Sequence, residues 1–276
     1  MSVLGLVFGC TSWFSGPEPV VPPPPTSTFA TLEPGVELAT FTGAPASSVG
    51  DSRITVLRLD PATVEVALLA VSELGGRARR PQQWLAEHDL LAATNVALFE
   101  PDYRTATFHM RRGDHVNHAA MADDANHFLL LDPVRDEEPP LRIVDRTCEE
   151  VPLDDYRTVV QGYRITDCEG GPAFADRDRI WSHASLGVDR QGRMLWIFAR
   201  SPWSTHDFAQ VLAALPLDLH RVQYAEGGPP AMLVVNAGDT DQQWLGSYET
   251  GAFANDDNQE PFPLPFVLGA RRKAPE

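Results

Sequence analysis

The sequence lacks three features that would assign a protein to a broad class at once. It has no run of about 20 apolar residues, so we predict no transmembrane helix. It has no C-x-x-C or H-E-x-x-H motif, and nothing in it indicates a metal site or a bound cofactor. Positive charge is scarce, with 22 Lys and Arg against 38 Asp and Glu and a formal net charge of −16. This imbalance argues against a nucleic-acid partner and against docking on anionic lipid.

Cysteine is also rare, with three in 276 residues. Cys10 follows the apolar run 3–9, which is typical of a bacterial lipoprotein signal in which the cysteine becomes lipidated; the alternative is a frayed apolar terminus with a free thiol. The next segment is rich in proline and predicts an extended spacer. We therefore expect a signal over residues 1–10, a linker over 11–35, and a location in the bacterial cell envelope or outside the cell.

The other two cysteines, Cys148 and Cys168, are candidates for a disulfide if the protein is exported. Such a bond would close a loop of about 20 residues and contribute roughly 3 kcal/mol to stability. The alternative is a pair of buried thiols. Their spacing does not match that of metal ligands.

Residues 36–276 predict one folded domain of the α+β class, with a mixed, largely antiparallel sheet and one or two packed helices. Apolar segments 53–59 and 64–70 flank a four-residue turn and predict a hairpin. Helices are predicted at 81–88, where proline occupies the first position, and at 204–215, where a Ser-x-x-acid pattern precedes a helical apolar stripe.

One segment carries most of the functional information. Residues 224–235 place Glu226 at the end of an apolar strand, followed by Gly227, Gly228 and a second apolar strand. Glycine lets the chain bend sharply or approach another group closely. The segment therefore predicts either a carboxylate displayed at the rim of a sheet or a tight turn with a solvated Glu.

The order of motifs resembles that of the phosphodiester glycosidase family, in a bacterial lipoprotein branch with an altered motif. The similarity spans roughly residues 50–240: residues 93–99, then a strand and turn at 187–195, a helix, and a strand ending in acid-Gly-Gly. The chain has Glu226 where the family has Asp. It also has two prolines after the glycines, where the family usually has Ser or Gly, and His183 where an Arg is common.

This resemblance implies cleavage of a sugar from a phosphate, which requires a carboxylate acid or nucleophile and cations for the phosphate. The catalytic candidates that it implies are Glu226, Asn95 and His183. The substrate-binding candidates are Arg200, for the phosphate, with Gly227, Gly228 and Tyr224.

Each of these residues also has a structural interpretation. Arg200 could form a surface salt bridge, His183 could be buried and satisfied, and Asn95 could fix its turn. Tyr224 and Trp203 could stack on a sugar or pack in the core. The second carboxylate stays open among Asp189, Glu100 and Asp207, of which Asp189 suits a turn and Asp207 a helix cap.

Two functions therefore follow from the sequence. The first is an exported hydrolase of glycosyl phosphodiesters. The second is a non-catalytic envelope lipoprotein that binds a glycan or a protein partner on the same fold. In both cases the expected small-molecule ligand is a sugar phosphate or glycan, and the membrane is reached only through a lipid anchor.

Overall fold

The computed structural model describes residues 26–273, which contain sixteen strands and three short α-helices. The strands, in chain order, are β1 (Thr26–Glu33), β2 (Val36–Thr42), β3 (Arg53–Leu59), β4 (Val64–Ala70), β5 (Ala92–Thr94), β6 (Met110–Arg112), β7 (His115–His118), β8 (His127–Pro133), β9 (Leu141–Asp145), β10 (Tyr156–Gly162), β11 (Trp181–Asp189), β12 (Met194–Trp203), β13 (Leu219–Gly227), β14 (Met232–Ala237), β15 (Thr240–Leu245) and β16 (Phe266–Arg272). The helices are α1 (Val71–Leu74), α2 (Pro81–His88) and α3 (Thr205–Ala213).

The strands form three antiparallel sheets around one apolar core. The main sheet has the order β1-β2-β3-β12-β11-β13, the second β7-β6-β10-β8-β9 and the third β15-β14-β5-β16-β4. The inner faces of all three contribute to the core, which includes Trp196, Leu129 and Leu268. Helix α3 covers the outer face of the main sheet, and α2 covers the outer face of the third. The fold is thus mainly β, and the predicted α+β class fits only loosely because the helices are short covers on sheet faces.

Helix α3 forms where its sequence pattern predicts. The Ser204 hydroxyl accepts a hydrogen bond from the Asp207 N–H at 3.0 Å, which caps the first turn. Phe208, Val211 and Leu212 are buried against the main sheet. Helix α2 also has its predicted bounds, with Pro81 in its first turn.

The predicted hairpin of residues 53–70 is wrong in its pairing, although both strands exist. β3 pairs with β2 and β12 in the main sheet, whereas β4 pairs with β16 in the third sheet. Both strands are buried over most of their length, so each is enclosed by sheet neighbours and core. The turn between them therefore passes the chain from one sheet to another.

The folded region begins earlier than the predicted boundary at residue 36. Strand β1 pairs with β2, and it occupies residues 26–33 of the segment assigned to the linker. The predicted signal and the lipidation site Cys10 lie outside the described residues. Within 26–273, no helix has the length and apolar character needed to cross a membrane.

Candidate functional site

Glu226 occupies the end of β13, the edge strand of the main sheet. Ala184 in β11 is opposite Glu226 and Ser185 is opposite Tyr224, so Ala225 is an extra residue in a bulge. A bulge redirects side chains at the end of a strand, and such irregularities are common beside functional sites. The sequence thus places a carboxyl group at an irregular sheet edge, as its glycine pattern predicts.

The Glu226 carboxyl group is buried with little polar compensation. Its side chain is 7% exposed, and its Oε1 accepts a hydrogen bond from the Gly227 N–H at 3.0 Å. Burial raises the pKa of Glu226 to about 8; the Gly227 N–H opposes this shift, and the negative charge of Glu249 adds to it. The group therefore carries a proton at pH 7 and can donate it to a leaving oxygen.

Both glycines of the bend are required by close approaches. A Cβ on Gly227 would overlap the Tyr224 hydroxyl and the Trp181 ring. Gly228 has a φ of +65°, and a Cβ there would lie 2.9 Å from Glu249 Oε2. The glycines thus let an aromatic pair and a second carboxylate come close to the bend.

Glu249 is the carboxylate that the sequence analysis missed. The Ser182 N–H donates to the Tyr248 carbonyl at 2.9 Å, and the Ser182 hydroxyl accepts the N–H groups of Ser247 and Tyr248. These bonds fix the segment that carries Glu249 beside β11. The only signal in the sequence is a pair of flanking glycines, which does not indicate a partner 23 residues away.

Two of the three earlier candidates for this role, Asp189 and Asp207, have other environments. Asp189 accepts the N–H of Gln191 and Arg193 and pairs with the Arg193 guanidinium at 2.7 Å, so it closes a turn. Asp207 lies in the first turn of α3, which Ser204 caps. Glu249 is the carboxylate whose charge acts on Glu226.

An open cavity of about 320 Å³ lies beside the bend. Its walls come from β11, β13, the start of α3 and the loop before β11. The lining residues are Leu98, Tyr163, Phe174, Ala175, Arg177, Arg179, Trp181, Ser204, Thr205 and Tyr224. Burial and the charges of Glu226 and Glu249 raise the pKa of Tyr224 well above its usual value, so its hydroxyl stays protonated and can donate.

Arg179 connects this cavity to the carboxylates. Its guanidinium lines the cavity, and its Nη2 lies 3.6 Å from Glu249 Oε1. Arg179 therefore belongs both to the cavity lining and to the surroundings of Glu249. Of the predicted substrate-binding residues, Tyr224 lines the cavity. Gly227 does not line it, but lies against the Tyr224 hydroxyl and the Trp181 ring.

His183 is placed away from Glu226. His183 and Ala184 are neighbours in β11 and point to opposite faces of the sheet. Ala184 is opposite Glu226 and faces the inner core, whereas His183 is opposite Gly227 and stacks on Phe208 with ring centroids 4.2 Å apart. Burial lowers the pKa of His183 to about 4, partly offset by a hydrogen bond to the Trp203 carbonyl. The imidazole is neutral at pH 7 and supplies no positive charge for a phosphate.

Asn95 fixes the chain after the glycines. Its Nδ2 donates to the Pro230 carbonyl at 3.0 Å, and its Oδ1 accepts the Met232 N–H at 2.7 Å. The side chain is 2% exposed. The contacts of Asn95 therefore match its structural interpretation, in which the side chain holds the turn in place.

Arg200 is engaged by a different segment. Its guanidinium donates to the Asp256 carboxylate at 2.6 Å and to the carbonyls of Leu245, Asp256 and Asn258. It lines a second cavity of about 380 Å³, whose lining residues do not include Tyr224. Arg200 thus holds residues 245–258, the segment that contains Glu249, by hydrogen bonds. The four predicted residues do not line a common pocket: Glu226, Asn95, His183 and Arg200.

The predicted disulfide between Cys148 and Cys168 is present, with a sequence separation of 20. Among the described residues, the cluster with metal-ligand distances is Asp145 with these two cysteines. Because the sulfurs are bonded to each other, they are not thiolate ligands. The bond instead joins the turn after β9 to the loop that leads towards the cavity.

The fold has known counterparts, although no family model and no curated protein sequence matches the chain. The catalytic domain of zebrafish N-acetylglucosamine-1-phosphodiester alpha-N-acetylglucosaminidase, in a form auto-inhibited by its pro-peptide, matches with a TM-score of 0.58 and 12% identity over 86% of this chain and 83% of that one. A hypothetical protein from Synechocystis matches with a TM-score of 0.57 and 10% identity over 90% of this chain and 64% of that one. At these identities the similarity shows a shared fold.

Proposed function

We propose that this protein is an exported hydrolase that cleaves a sugar from a glycosyl phosphodiester. The observation that carries the proposal is the buried, protonated Glu226, on which the negative charge of a second carboxylate, Glu249, acts. Glycoside hydrolysis requires such a pair, one carboxyl group protonated and one ionised. The shared fold with a phosphodiester glycosidase catalytic domain supports the same reaction class.

In this reaction the bond between the anomeric carbon and the phosphate oxygen breaks. Glu226 transfers its proton to the departing phosphate oxygen, water supplies the hydroxyl group that ends on the sugar, and the remaining proton of that water restores the Glu226 acid. Glu249 is the second carboxylate at the anomeric carbon. Arg179 lies at the boundary between this pair and the cavity, where it can stabilise negative charge on the phosphate.

The test is turnover by the purified full chain on a panel of glycosyl phosphodiesters. Glu226→Gln keeps the shape of the side chain but cannot donate the proton, so we expect a loss of about 100-fold or more in kcat. Glu260→Gln, at a side chain that is 77% exposed, is the matched control and should retain full activity. A folded wild-type protein with no turnover on any substrate would contradict the proposal.

A second candidate is a non-catalytic module that binds a glycan or a protein partner, as three observations suggest. His183 is neutral and sealed, both polar atoms of the Asn95 side chain are occupied by backbone groups, and Pro229 is buried next to the bend. In this case Glu226→Gln leaves ligand binding unchanged, and wild-type protein shows no turnover.

Export is part of the proposal. A disulfide between Cys148 and Cys168 is typical of proteins outside the reducing cytosol. Lipid attachment at Cys10 would give the protein its only membrane contact. Mass spectrometry of the native N-terminus tests this point, and an unmodified Met1 would contradict it.

A further inference from the structure

We propose that the 320 Å³ cavity is a binding site for an anionic sugar, with Arg177 and Arg179 as the residues that select the negative charge. The inference deepens the proposed function by naming the substrate class and the cations that recognise it. The inference rests on the proposed function only where it concerns turnover of the bound sugar. Binding itself can be measured without catalysis.

The first observation is an alternation along residues 175–181. Ala175, Arg177, Arg179 and Trp181 line the cavity, whereas the intervening Asp176 and Asp178 do not. Both arginines of this loop therefore line the cavity, whereas its two acids, which are exposed, do not. The cavity lining thus contains two cations and no carboxylate, on a chain of net charge −16.

The second observation is that these two arginines are poorly neutralised. Arg177 is exposed and has no hydrogen-bond or ion-pair partner within the described part of the chain. Arg179 has one ion pair, at 3.6 Å from Glu249, lies over the Trp181 ring at 6.0 Å from its centroid, and is 64% exposed. By contrast, Arg58 and Arg193 each bond to a carboxylate at 2.7 Å. A guanidinium group whose donors are not taken up by a close carboxylate can form bidentate bonds to phosphate or carboxylate.

The third observation is the character of the remaining walls. Tyr163, Phe174, Trp181 and Tyr224 surround the opening, with Tyr163 and Phe174 ring centroids 6.0 Å apart and those of Trp181 and Tyr224 6.4 Å apart. Aromatic faces pack against the C–H face of a sugar ring, and the Tyr224 hydroxyl can donate a hydrogen bond. The volume suits a small ligand of monosaccharide size.

The wall that carries the arginines is held in place. The Nδ1 atom of His206 is 2.8 Å from the carbonyl oxygen of Phe174. This hydrogen bond connects the loop to the first turn of α3. The same loop begins near Cys168, whose disulfide joins it to the turn after β9. The start of α3 also borders the cavity, and the positive end of its helix dipole adds to the field of the arginines.

The experiment is calorimetric titration of the purified full chain with glucose 1-phosphate, glucuronate, glucose and inorganic phosphate. We expect glucose 1-phosphate, glucuronate or both to bind, glucose to bind at least tenfold more weakly, and affinity to fall as salt rises. Preference for one of the two acids shows whether the anion is phosphate or carboxylate. Inorganic phosphate should bind more weakly than the best sugar acid, because it makes no aromatic contact.

The variants separate binding from catalysis. Arg177→Gln and Arg179→Gln should each weaken binding of the sugar acid about tenfold, and the double variant should abolish it. Arg190→Gln is the matched control, since Arg190 is 65% exposed and lies 3.5 Å from Asp218. Glu260→Gln, at an exposed carboxylate outside the proposed site, should also leave this binding unchanged. Binding and turnover are measured separately on each protein, so failure of hydrolysis and failure of the anion site are distinguished.

Three results would overturn the inference. The first is equal affinity for glucose and the sugar acids, or no binding by any of them. The second is an unchanged affinity in the folded double variant, and the third is inorganic phosphate binding as tightly as the sugar acids.

Discussion

The Arg179 guanidinium lies 3.6 Å from the Glu249 carboxylate, and this contact joins the cavity to the bend that carries Glu226. Glu249 raises the pKa of Glu226, while Arg179 is exposed to the cavity. Glu249 is thus the group that both Glu226 and Arg179 interact with.

The first prediction concerns the pH dependence of stability at Glu226. The folded pKa of about 8 lies above the reference value of 4.5, so the folded state holds the proton more tightly and stability falls as pH rises between these values. Glu226→Gln removes this loss. We expect its unfolding free energy to match that of wild type near pH 4.5 and to exceed it by a few kcal/mol at pH 8.5.

Urea unfolding across this pH range measures the effect. Glu260→Gln, at an exposed carboxylate, serves as the control and should show no gain that grows with pH. Parallel pH profiles for wild type and Glu226→Gln would show that the carboxyl group is not protonated in the folded protein.

The second prediction concerns acid stability at His183. Its folded pKa of about 4 lies below the reference value of 6.5, so its contribution is complete above pH 6.5 and is lost as pH falls towards 4. His183→Gln keeps an amide donor for the Trp203 carbonyl but does not titrate. The variant should therefore lose less stability than wild type between pH 6.5 and 4.

Thermal unfolding at several pH values reports this difference. His115→Gln, at a half-buried histidine of β7, is the comparison. If His183→Gln and wild type lose stability equally on acidification, the imidazole is not the buried neutral group described above.

The third prediction concerns Asn95. Asn95→Ala leaves the Pro230 carbonyl and the Met232 N–H without their partner, and we expect a loss of about 2–3 kcal/mol in unfolding free energy. Asn236→Ala, at an exposed position of β14, should change stability little. A stable Asn95→Ala variant with reduced turnover would instead indicate contact with substrate.

The fourth prediction concerns the disulfide. Replacing both Cys148 and Cys168 by Ser removes a cross-link between positions 20 residues apart, so the unfolded chain gains conformational entropy. We expect the free energy of unfolding to fall by about 3 kcal/mol. Urea midpoints of the variant and of oxidised wild type give the value. Reduced wild type is the control and should resemble the variant; equal midpoints for all three would exclude a stabilising bond.

Local sequence patterns determined several features correctly. The apolar stripe and cap of α3 depend on residues within one helix, and so does the start of α2 at Pro81. The Glu-Gly-Gly bend is also local, because glycine permits the close approach wherever the chain needs it. The pairing of Cys148 with Cys168, one of two alternatives that the sequence left open, is present in the structure.

Tertiary structure decided the rest, because those features depend on residues that are distant in sequence. The partners of β3 and β4 were set by the enclosing sheets, since the turn between them is compatible with a hairpin or a crossing. Burial determined that Glu226 is protonated and His183 neutral, and the segment anchored by Ser182 supplied Glu249. The sequence alone thus located the acid at its bend, whereas only the packing of distant segments determined its charge state, its companion carboxylate and the cations beside it.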